Sequence, residues 1–361
     1  MNDPRKRTGD YRLDSILATA VLAMIDGIIS INQIPYWLGS LHPSQRKRLN
    51  FKATIPDEST FRRLLRTIDS VQMADCVNSW LKGTALEGKI LALDGKRLCG
   101  AHSSNSKPPE ILNIVEHGSG EVLGQQLILG TGQEREAAVK WISNTSLLGC
   151  LLTGDALHAN KALAEMIVGE KKADYLMVIK ANNKIIFEDI KNLKMNENIE
   201  KPHASTFEKS HGREESREIW VSTNIGSKGK VALYFPGAEQ IATVVRTQKN
   251  IKSGKEYFEI AYLITSRKSE EMNPEQFLKA NREHWTVESK NHYVKDGFMG
   301  EDKSRCRAGN LAHNLATLRN IALKILRTVQ IKLCDKKGRQ TIPEALRKIK
   351  DLGGVLKILS L

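Results

Sequence analysis

The first part of the chain carries a helical pattern of apolar residues. Apolar side chains recur there at three- and four-residue spacing, at Leu13, Ile16, Leu17, Ala20, Val21, Met24 and Ile25. This spacing places them on one buried helix face. A second helix start is predicted at Asp57, followed by the periodic Phe61, Leu64 and Leu65. Residues 1–85 are therefore predicted to form an all-helical N-terminal domain.

The periodicity changes at Lys89, where short apolar runs typical of β-strands begin. The first run ends on Asp94, and two further runs are separated by a hairpin signal at residues 117–120. After them the pattern predicts a helix, a strand that ends on Asp155, a second helix and another strand. Three strands followed by this alternation predict a mixed α/β sheet rather than a doubly wound parallel one.

Residues 191–266 differ in character, because they are polar and rich in Lys, Glu, Ser and Gly. They contain four β-like pieces, at Glu218–Val221, Lys230–Tyr234, Ile241–Arg246 and Tyr257–Ile264. We interpret them as a β-rich insertion, after which the chain is helical again from Pro274. The predicted catalytic domain spans residues 86–335 and contains this insertion. A basic helical tail is predicted for residues 336–361.

A polar stripe with helical spacing lies between Asn281 and Asn310. The central residue of this stripe is Glu288. Residues four positions before it and three, four and seven positions after it lie on the same side of a helix. These residues are His284, Asn291, His292 and Lys295. Three apolar residues are expected to anchor this helix in a core, namely Trp285, Val294 and Phe298. Such a stripe is either a solvated helix face or the setting of a metal-binding carboxylate.

The charge of the chain changes which partners are expected. The 361 residues carry a formal net charge of +14, with a pI near 9.5. A surplus of this size favours a polyanionic partner, nucleic acid before an acidic membrane surface. Arg62, Arg63 and Arg66 lie opposite the apolar face of the second helix, so they are candidates to contact double-stranded DNA. The alternative is a helical cap with a solvated basic face.

Membrane insertion and secretion are not expected from this sequence. The longest uncharged apolar run, Ser15–Ile25, is shorter than a membrane span requires, and the charged N-terminus lacks an apolar signal core. The five cysteines are scattered and show no metal-binding spacing. Reduced thiols in a cytoplasm are therefore expected.

Three acids together suggest chemistry. Asp94 and Asp155 each close a predicted strand, and catalytic groups in open sheets collect at strand ends. If these strands are neighbours, the two carboxylates converge, and Glu288 on a packed helix adds a third. Hard oxygen ligands of this kind select Mg²⁺ or Mn²⁺, which suits a two-metal site acting on a phosphodiester. Any single acid after a strand would be weak support.

Two further motifs leave alternatives open. His158, close after Asp155, is either a metal ligand or a loop histidine with a local hydrogen bond. His211, Gly212 and Arg213 form either a phosphate-contacting turn or a charged hairpin tip. The sequence alone does not separate these alternatives.

Five segments resemble, in order, motifs of the H-repeat-associated transposases of the ISAs group of bacterial insertion sequences. They are LALDGKRLCGA, LLTGDALHAN, YLMVIKANN, HGREESR and REHWTVESKNHYVKDGFMGEDKSRCRAGNLAHNLATLRNIAL. The resemblance implies a ribonuclease H-like DDE domain with a β-rich insertion between the second acid and the third. The catalytic and metal-binding acids that it implies are Asp94, Asp155 and Glu288.

The same resemblance implies a transposase that binds the inverted repeats at its element's ends. With Mg²⁺ or Mn²⁺ it would cleave the element-end phosphodiester and join the released 3′-hydroxyl to target DNA. A homodimer that pairs two ends, and association with the bacterial nucleoid, are implied as well. Basic residues are expected to hold phosphates near the acids, namely Lys96, Lys295, Arg305 and Arg307.

The chain also departs from the wider transposase pattern. Related enzymes carry a tyrosine and an arginine seven and four residues before the glutamate, where this chain has Asn281 and His284. Arg282 is the candidate to take over the arginine's role, and His284 and Asn291 are expected to support the acid. The rival hypotheses are a degenerate or domesticated DNA-binding protein without activity, and a nuclease of the same fold.

Overall fold

A computed structural model describes most of the chain. The described residues are 3–5, 11–52, 54–81, 86–102, 107–130, 132–181, 184–195, 201–225, 230–333, 341–351 and 354–358. Predictions that fall elsewhere, such as the reduced thiol of Cys334, lie outside the described residues.

Within these ranges, a nine-stranded sheet forms the centre of the fold, in the order β3-β2-β1-β4-β5-β9-β8-β7-β6. The strands are β1 Ile90–Arg97, β2 Glu110–Glu116, β3 Val122–Ile128, β4 Leu151–Gly154, β5 Asp174–Ile179, β6 Ala204–Ser210, β7 Arg213–Ser222, β8 Gln240–Asn250 and β9 Glu256–Thr265. The pairs β1–β4 and β4–β5 are parallel, and all other neighbours are antiparallel. The predicted mixed α/β sheet is confirmed.

Helices precede, cover and follow the sheet. They are α1 Leu13–Ile25, α2 Ile34–Ser40, α3 Pro43–Arg48, α4 Glu58–Thr67, α5 Ser70–Leu81, α6 Glu134–Ser143, α7 Lys161–Glu165, α8 Lys184–Met195, α9 Lys230–Tyr234, α10 Pro274–Glu283, α11 Tyr293–Met299, α12 Leu311–Leu333, α13 Ile342–Asp351 and α14 Val355–Ile358. The helical start is confirmed over α1 to α5. Asp57 caps α4 as predicted, since its side chain accepts from the Thr60 backbone N–H at 2.9 Å. No described helix is both long enough and apolar enough to cross a bilayer.

The two largest hydrophobic cores among the described residues both include side chains of the sheet. In one of them, α1, α4, α12 and α13 pack together through side chains such as Ile16, Phe61, Leu318 and Ile349. The other core lies under α6 and joins β1 to β5. Because helices from both ends of the chain share one core, domain boundaries at residues 85 and 335 stay predictions.

The polar segment after β5 contributes β6 to β9, which extend the main sheet as antiparallel strands beside β5. The strand predicted at Lys230–Tyr234 is wrong, because those residues form α9. Val231 and Phe235 are four residues apart and both fully buried, which is the spacing of one helix face. The turn at His211 and Gly212 joins β6 to β7, so it is a hairpin tip.

Candidate active site

Two acids lie side by side where β1 and β4 separate. The parallel pairing of these strands matches Ala92 with Thr153 and ends one residue further on. Asp94 and Asp155 come directly after the last paired residues. Because side chains alternate along a strand, both acids lie on the same face of the sheet as Ala92 and Thr153. The prediction that the strand ends on Asp94 is wrong, because β2 continues to pair with β1 as far as Arg97.

Glu288 lies on a π-helical turn, Val287–His292, that covers this face of the sheet. Such turns have one extra residue and often occur at functional sites. Val287 is buried against Ala92 and Val115, so apolar packing seats the turn on β1 and β2. The predicted helical stripe is thereby divided into α10, the π-helical turn and α11, and residues 300–310 are not helical.

Two of the three residues predicted to anchor this helix pack in the core, and the third is exposed. Val294 is buried and Phe298 packs against the first core, as predicted. Trp285 is 70% exposed, so its predicted role as an anchor is wrong. Val287, which the polar stripe did not include, anchors the segment instead, through its contacts with Ala92 and Val115.

His292 connects the π-helical turn to the first acid. Its Nδ1 lies 3.5 Å from Asp94 Oδ2 and 3.3 Å from Glu288 Oε2. One ligand atom from each of these three side chains lies within 4.8 Å of the others. The structure therefore brings Asp94 and Glu288 together, although almost two hundred residues separate them in the sequence. Glu288 has an exposed side chain, which opens the site to solvent.

The electrostatics of Asp94 show that negative charge is concentrated here. Burial, followed by the nearby charges of Glu288, Glu134 and Asp155, raises the pKa of Asp94 to about 8. The contact with His292 instead lowers the pKa of Glu288. Several carboxylates around one buried acid repel one another, and a bound divalent cation would reduce this repulsion. The oxygen donors of Asp94, Asp155 and Glu288 fit Mg²⁺ or Mn²⁺.

This raised pKa predicts a pH-dependent metal affinity. Below about pH 8 the metal-free protein holds a proton on Asp94, which a cation must displace. We expect the affinity for Mn²⁺ to rise with pH up to about 8 and to level off above it. Calorimetry in two buffers of different ionisation enthalpy would measure the released proton. The Asp94→Asn variant is the control, and proton release that persists in it would contradict the assignment to Asp94.

A buried group of hydroxyl and imidazole side chains supports β4 beside the acids. Thr153 Oγ1 lies 2.8 Å from both His117 Nε2 and His284 Nδ1. Burial is the main cause that lowers the pKa of His117 to about 3 and that of His284 to about 4. Both rings are therefore neutral at physiological pH. His284, predicted to support the glutamate, contacts β4 two residues before Asp155.

Sequence reasoning missed several residues of the site. Glu134, the first residue of α6, contributes a fourth carboxylate near Asp94, and its Oε1 lies 3.0 Å from His158 Nε2. His158 thus has a hydrogen-bond partner, although that partner lies 24 residues earlier in the chain and is not a neighbour in the loop. Asn113 lies directly opposite Asp94 on β2. No sequence signal singled out Glu134 or Asn113, because each occupies an ordinary helix start or strand position.

Two lysines predicted to hold phosphates do not reach the surface. Lys295 is completely buried, with its Nζ 3.6 Å from Glu301 Oε2. Lys96 is 8% exposed and its Nζ lies 2.7 Å from Asp296 Oδ2. Each lysine faces a carboxylate and is largely shielded from solvent, so phosphate contact by either one stays a prediction that these positions do not support.

The remaining predicted residues have varied positions. Arg282 forms an ion pair with Glu208 on β6, and Asn291 is fully buried with no hydrogen-bond partner for its amide among the described residues. Arg62 pairs with Glu58 within α4. Arg63, Arg66, Arg305 and Arg307 are exposed to solvent.

Comparison with known proteins agrees with a sheet that carries an acidic site of this kind. Residues 89–325 match the family described as Transposase DDE domain, and residues 1–81 match the family described as DDE_Tnp_1-associated. The family match over most of the chain defines a protein of the DDE transposase class. More particularly, this chain belongs to the Transposase DDE domain family, in the group of the H repeat-associated transposases.

Individual relatives show how far the similarity extends. "Putative transposase YncI" of Escherichia coli O157:H7 is 29% identical over 88% of this chain and 82% of its own length. "H repeat-associated putative transposase YhhI" of Escherichia coli K12 is 28% identical over 88% of this chain and 85% of its own length. A piggyBac transposase synaptic complex with hairpin DNA superposes with a TM-score of 0.44 and 14% identity, covering 100% of this chain and 74% of that chain.

Proposed function

We propose that this protein is a DNA transposase that binds the inverted repeats at the ends of its own element. It cleaves the element-end phosphodiester and transfers the released 3′-hydroxyl to target DNA. The observation that carries the proposal is that Glu288 lies beside Asp94, with Asp155 following the neighbouring parallel strand, in a strongly basic chain. Membership of the transposase family supports it.

The strand order supports a ribonuclease H-like catalytic domain. Strands β3, β1, β4 and β5 run in the same direction and β2 runs against them, in the spatial order β3-β2-β1-β4-β5. The strands β6 to β9 enter the chain between Asp155 and Glu288, which fits an insertion between the second acid and the third. We propose that residues 86–335 act as this domain.

The three acids would hold the divalent cations. Bound Mg²⁺ or Mn²⁺ would supply Lewis acidity toward the phosphodiester and lower the pKa of an attacking hydroxyl. The protein's own contribution is position: β1 and β4 fix two carboxylates on a rigid sheet, and Val287 seats the turn that presents the third. The exposed side of Glu288 is where a DNA backbone would approach.

A basic surface next to the site would bind DNA. The backbone N–H of Asn310 donates to the carbonyl oxygen of Arg66 at 3.3 Å, so the 300–310 loop lies against the end of α4. Arg62 and Arg305 line the same pocket of about 250 Å³. Tertiary packing thus joins the exposed arginines of α4, Arg63 and Arg66, to the loop that carries Arg307. We propose that this composite surface contacts phosphates of double-stranded DNA.

The salt dependence of DNA binding tests this surface. We expect Arg63→Ala and Arg66→Ala each to reduce the slope of log affinity against log salt by about 1, as one lost phosphate contact predicts. Fluorescence anisotropy with an element-end duplex at several salt concentrations measures the slope. Arg62→Ala is the matched control from the same helix, because Glu58 already pairs with its guanidinium. Equal slopes for all four proteins would rule out α4 as a DNA contact.

One assay separates the transposase from its rivals. The purified protein is incubated with an element-end duplex and a supercoiled target plasmid, in the presence of Mg²⁺ or of EDTA. Metal-dependent cleavage followed by joined products is the expected result. Cleaved ends without joined products would indicate a nuclease, and binding without cleavage would indicate a DNA-binding protein. Light scattering of the protein–DNA complex would test the proposed homodimer.

A further inference from the structure

A chain of buried amides leads from the acidic site into the interior. Asn113 Nδ2 lies 3.3 Å from His292 Nε2, and Asn113 Oδ1 lies 3.4 Å from Lys295 Nζ. Lys295 Nζ is also 3.1 Å from Asn320 Oδ1. All four side chains are at most 3% exposed, so water does not compete for these contacts.

Lys295 fixes the direction of this chain, because its amino group donates to both amide oxygens. Turning Asn113 around would place its NH₂ against Lys295 and against the NH₂ of Asn320, which lies 3.0 Å from Asn113 Oδ1. Turning Asn320 around would likewise place its NH₂ against Lys295. Asn320 Nδ2 in addition donates to Gln125 Oε1 at 2.6 Å. The orientation of Asn113 is therefore determined by its partners.

The orientation of Asn113 determines the tautomer of His292. Asn113 presents an N–H to Nε2, so Nε2 must accept and the single ring proton of a neutral imidazole must reside on Nδ1. That nitrogen is the one 3.3 Å from Glu288 Oε2 and 3.5 Å from Asp94 Oδ2. A nitrogen that carries a proton has no lone pair for a metal.

We propose that His292 is a positioning residue and not a metal ligand, and that Asn113 and Lys295 hold it in the Nδ1–H tautomer. Its proton lies between Asp94 Oδ2 and Glu288 Oε2, holds the two carboxyl groups side by side and leaves their remaining oxygens for a cation. The ligand set is then oxygen alone, from Asp94, Asp155 and Glu288, which selects Mg²⁺ or Mn²⁺ over Zn²⁺. The identity of these ligands rests on the proposed function, whereas the tautomer does not.

The tautomer can be measured in the wild-type protein without DNA or metal. The protein is labelled with ¹⁵N-histidine, and its ring nitrogens are observed in a two-bond proton–nitrogen correlation spectrum. The signals that disappear in His292→Asn belong to His292. We expect a protonated Nδ1 and an unprotonated Nε2, and a proton on Nε2 would overturn the proposal. This result is independent of whether the protein cleaves DNA.

Reversing one hydrogen bond tests the exclusion of His292 from the ligand set. In Asn113→Asp a carboxylate accepts from Nε2–H, which frees the Nδ1 lone pair beside Asp94 and Glu288. We expect the affinity for Co²⁺ to rise at least about tenfold, with absorption bands of nitrogen ligation that the wild type lacks. Asn320→Asp is the matched control, because it adds the same charge beside Lys295 without contacting His292. Nitrogen ligation in the wild type would contradict the proposal.

The cleavage activities of two variants, His292→Asn and His292→Gln, distinguish a positioning role of His292 from a role as metal ligand. The amide of asparagine can place an N–H where Nδ1 lies, whereas that of glutamine reaches the position of Nε2. We expect His292→Asn to keep most of the cleavage activity and His292→Gln to lose about 10–100-fold, the usual cost of a lost outer partner at a metal site. Equal losses in both variants would argue against a role for the Nδ1 proton. If the wild type cleaves no DNA, the proposed function fails while the spectroscopic test still stands.

Discussion

Replacing Asp94, Asp155 or Glu288 by its amide is expected to abolish metal-dependent cleavage of element-end DNA. Each amide keeps the size of the side chain and removes a charged oxygen ligand. Metal-assisted charge stabilisation supplies several kcal/mol, and a loss of roughly 4 kcal/mol slows a reaction by about 1000-fold. Cleavage of a labelled duplex in Mg²⁺ and in Mn²⁺ measures the rate. DNA binding, measured by anisotropy, should persist, because the exposed arginines are unchanged.

Glu136→Gln provides the matched control for these three variants. Glu136 is an exposed acid on α6, close in sequence to the site but outside it, so its amide should cleave like the wild type. Near-normal cleavage by any one of the three site variants would remove that acid from the catalytic set. Loss of both binding and cleavage would instead point to misfolding, which circular dichroism would detect.

Lys295→Met is expected to destabilise the fold strongly rather than to weaken DNA contact. Lys295 and Glu301 have no exposed side-chain surface, and neither Glu301 oxygen has a hydrogen-bond partner among the described residues. Removing one partner of a buried ion pair leaves an uncompensated charge, which costs about 3–5 kcal/mol. Chemical denaturation followed by tryptophan fluorescence would measure the fall in the free energy of unfolding.

The double variant Lys295→Met with Glu301→Gln distinguishes this explanation from a simple loss of packing. Removing both charges should recover much of the lost stability, because no unpaired charge remains. Lys303→Met, an exposed lysine in the same loop as Glu301, should have little effect. A Lys295→Met protein with wild-type stability and weaker DNA binding would show that Lys295 reaches phosphate after all.

Local patterns succeeded where neighbouring residues decide the outcome. The helix over Leu13–Ile25, the cap at Asp57 and the strands around Asp94 and Asp155 follow from spacing and from short-range hydrogen bonds. The resemblance then selected the three acids from many. The failure at Lys230–Tyr234 also has a local cause, since the four-residue apolar run after Lys230 fits a strand or a helix equally well.

Sequence patterns failed to predict burial where the segment that packs over a residue lies far away in the chain. Trp285 is apolar and has helical spacing, yet nothing packs over it sufficiently to bury it. Lys295 is charged, yet its ammonium meets Glu301, Asn113 and Asn320 in the interior. A residue's hydrophobicity gives its tendency to be buried. Whether a charged residue can be buried depends on a partner that compensates for the lost hydration, and the tertiary structure alone identifies that partner.

The sequence by itself determined most of the elements and the basic charge, because these depend on residue identity and on local spacing. The family resemblance singled out the three candidate acids. Only the tertiary structure decided that β1 lies beside β4, that the π-helical turn brings Glu288 to Asp94, and that Asn113 faces His292. Those contacts join residues far apart in the chain, and their geometry depends on backbone pairing and packing that no local pattern contains. The chemistry of the site therefore depends on long-range contacts that a reading of neighbouring residues cannot supply.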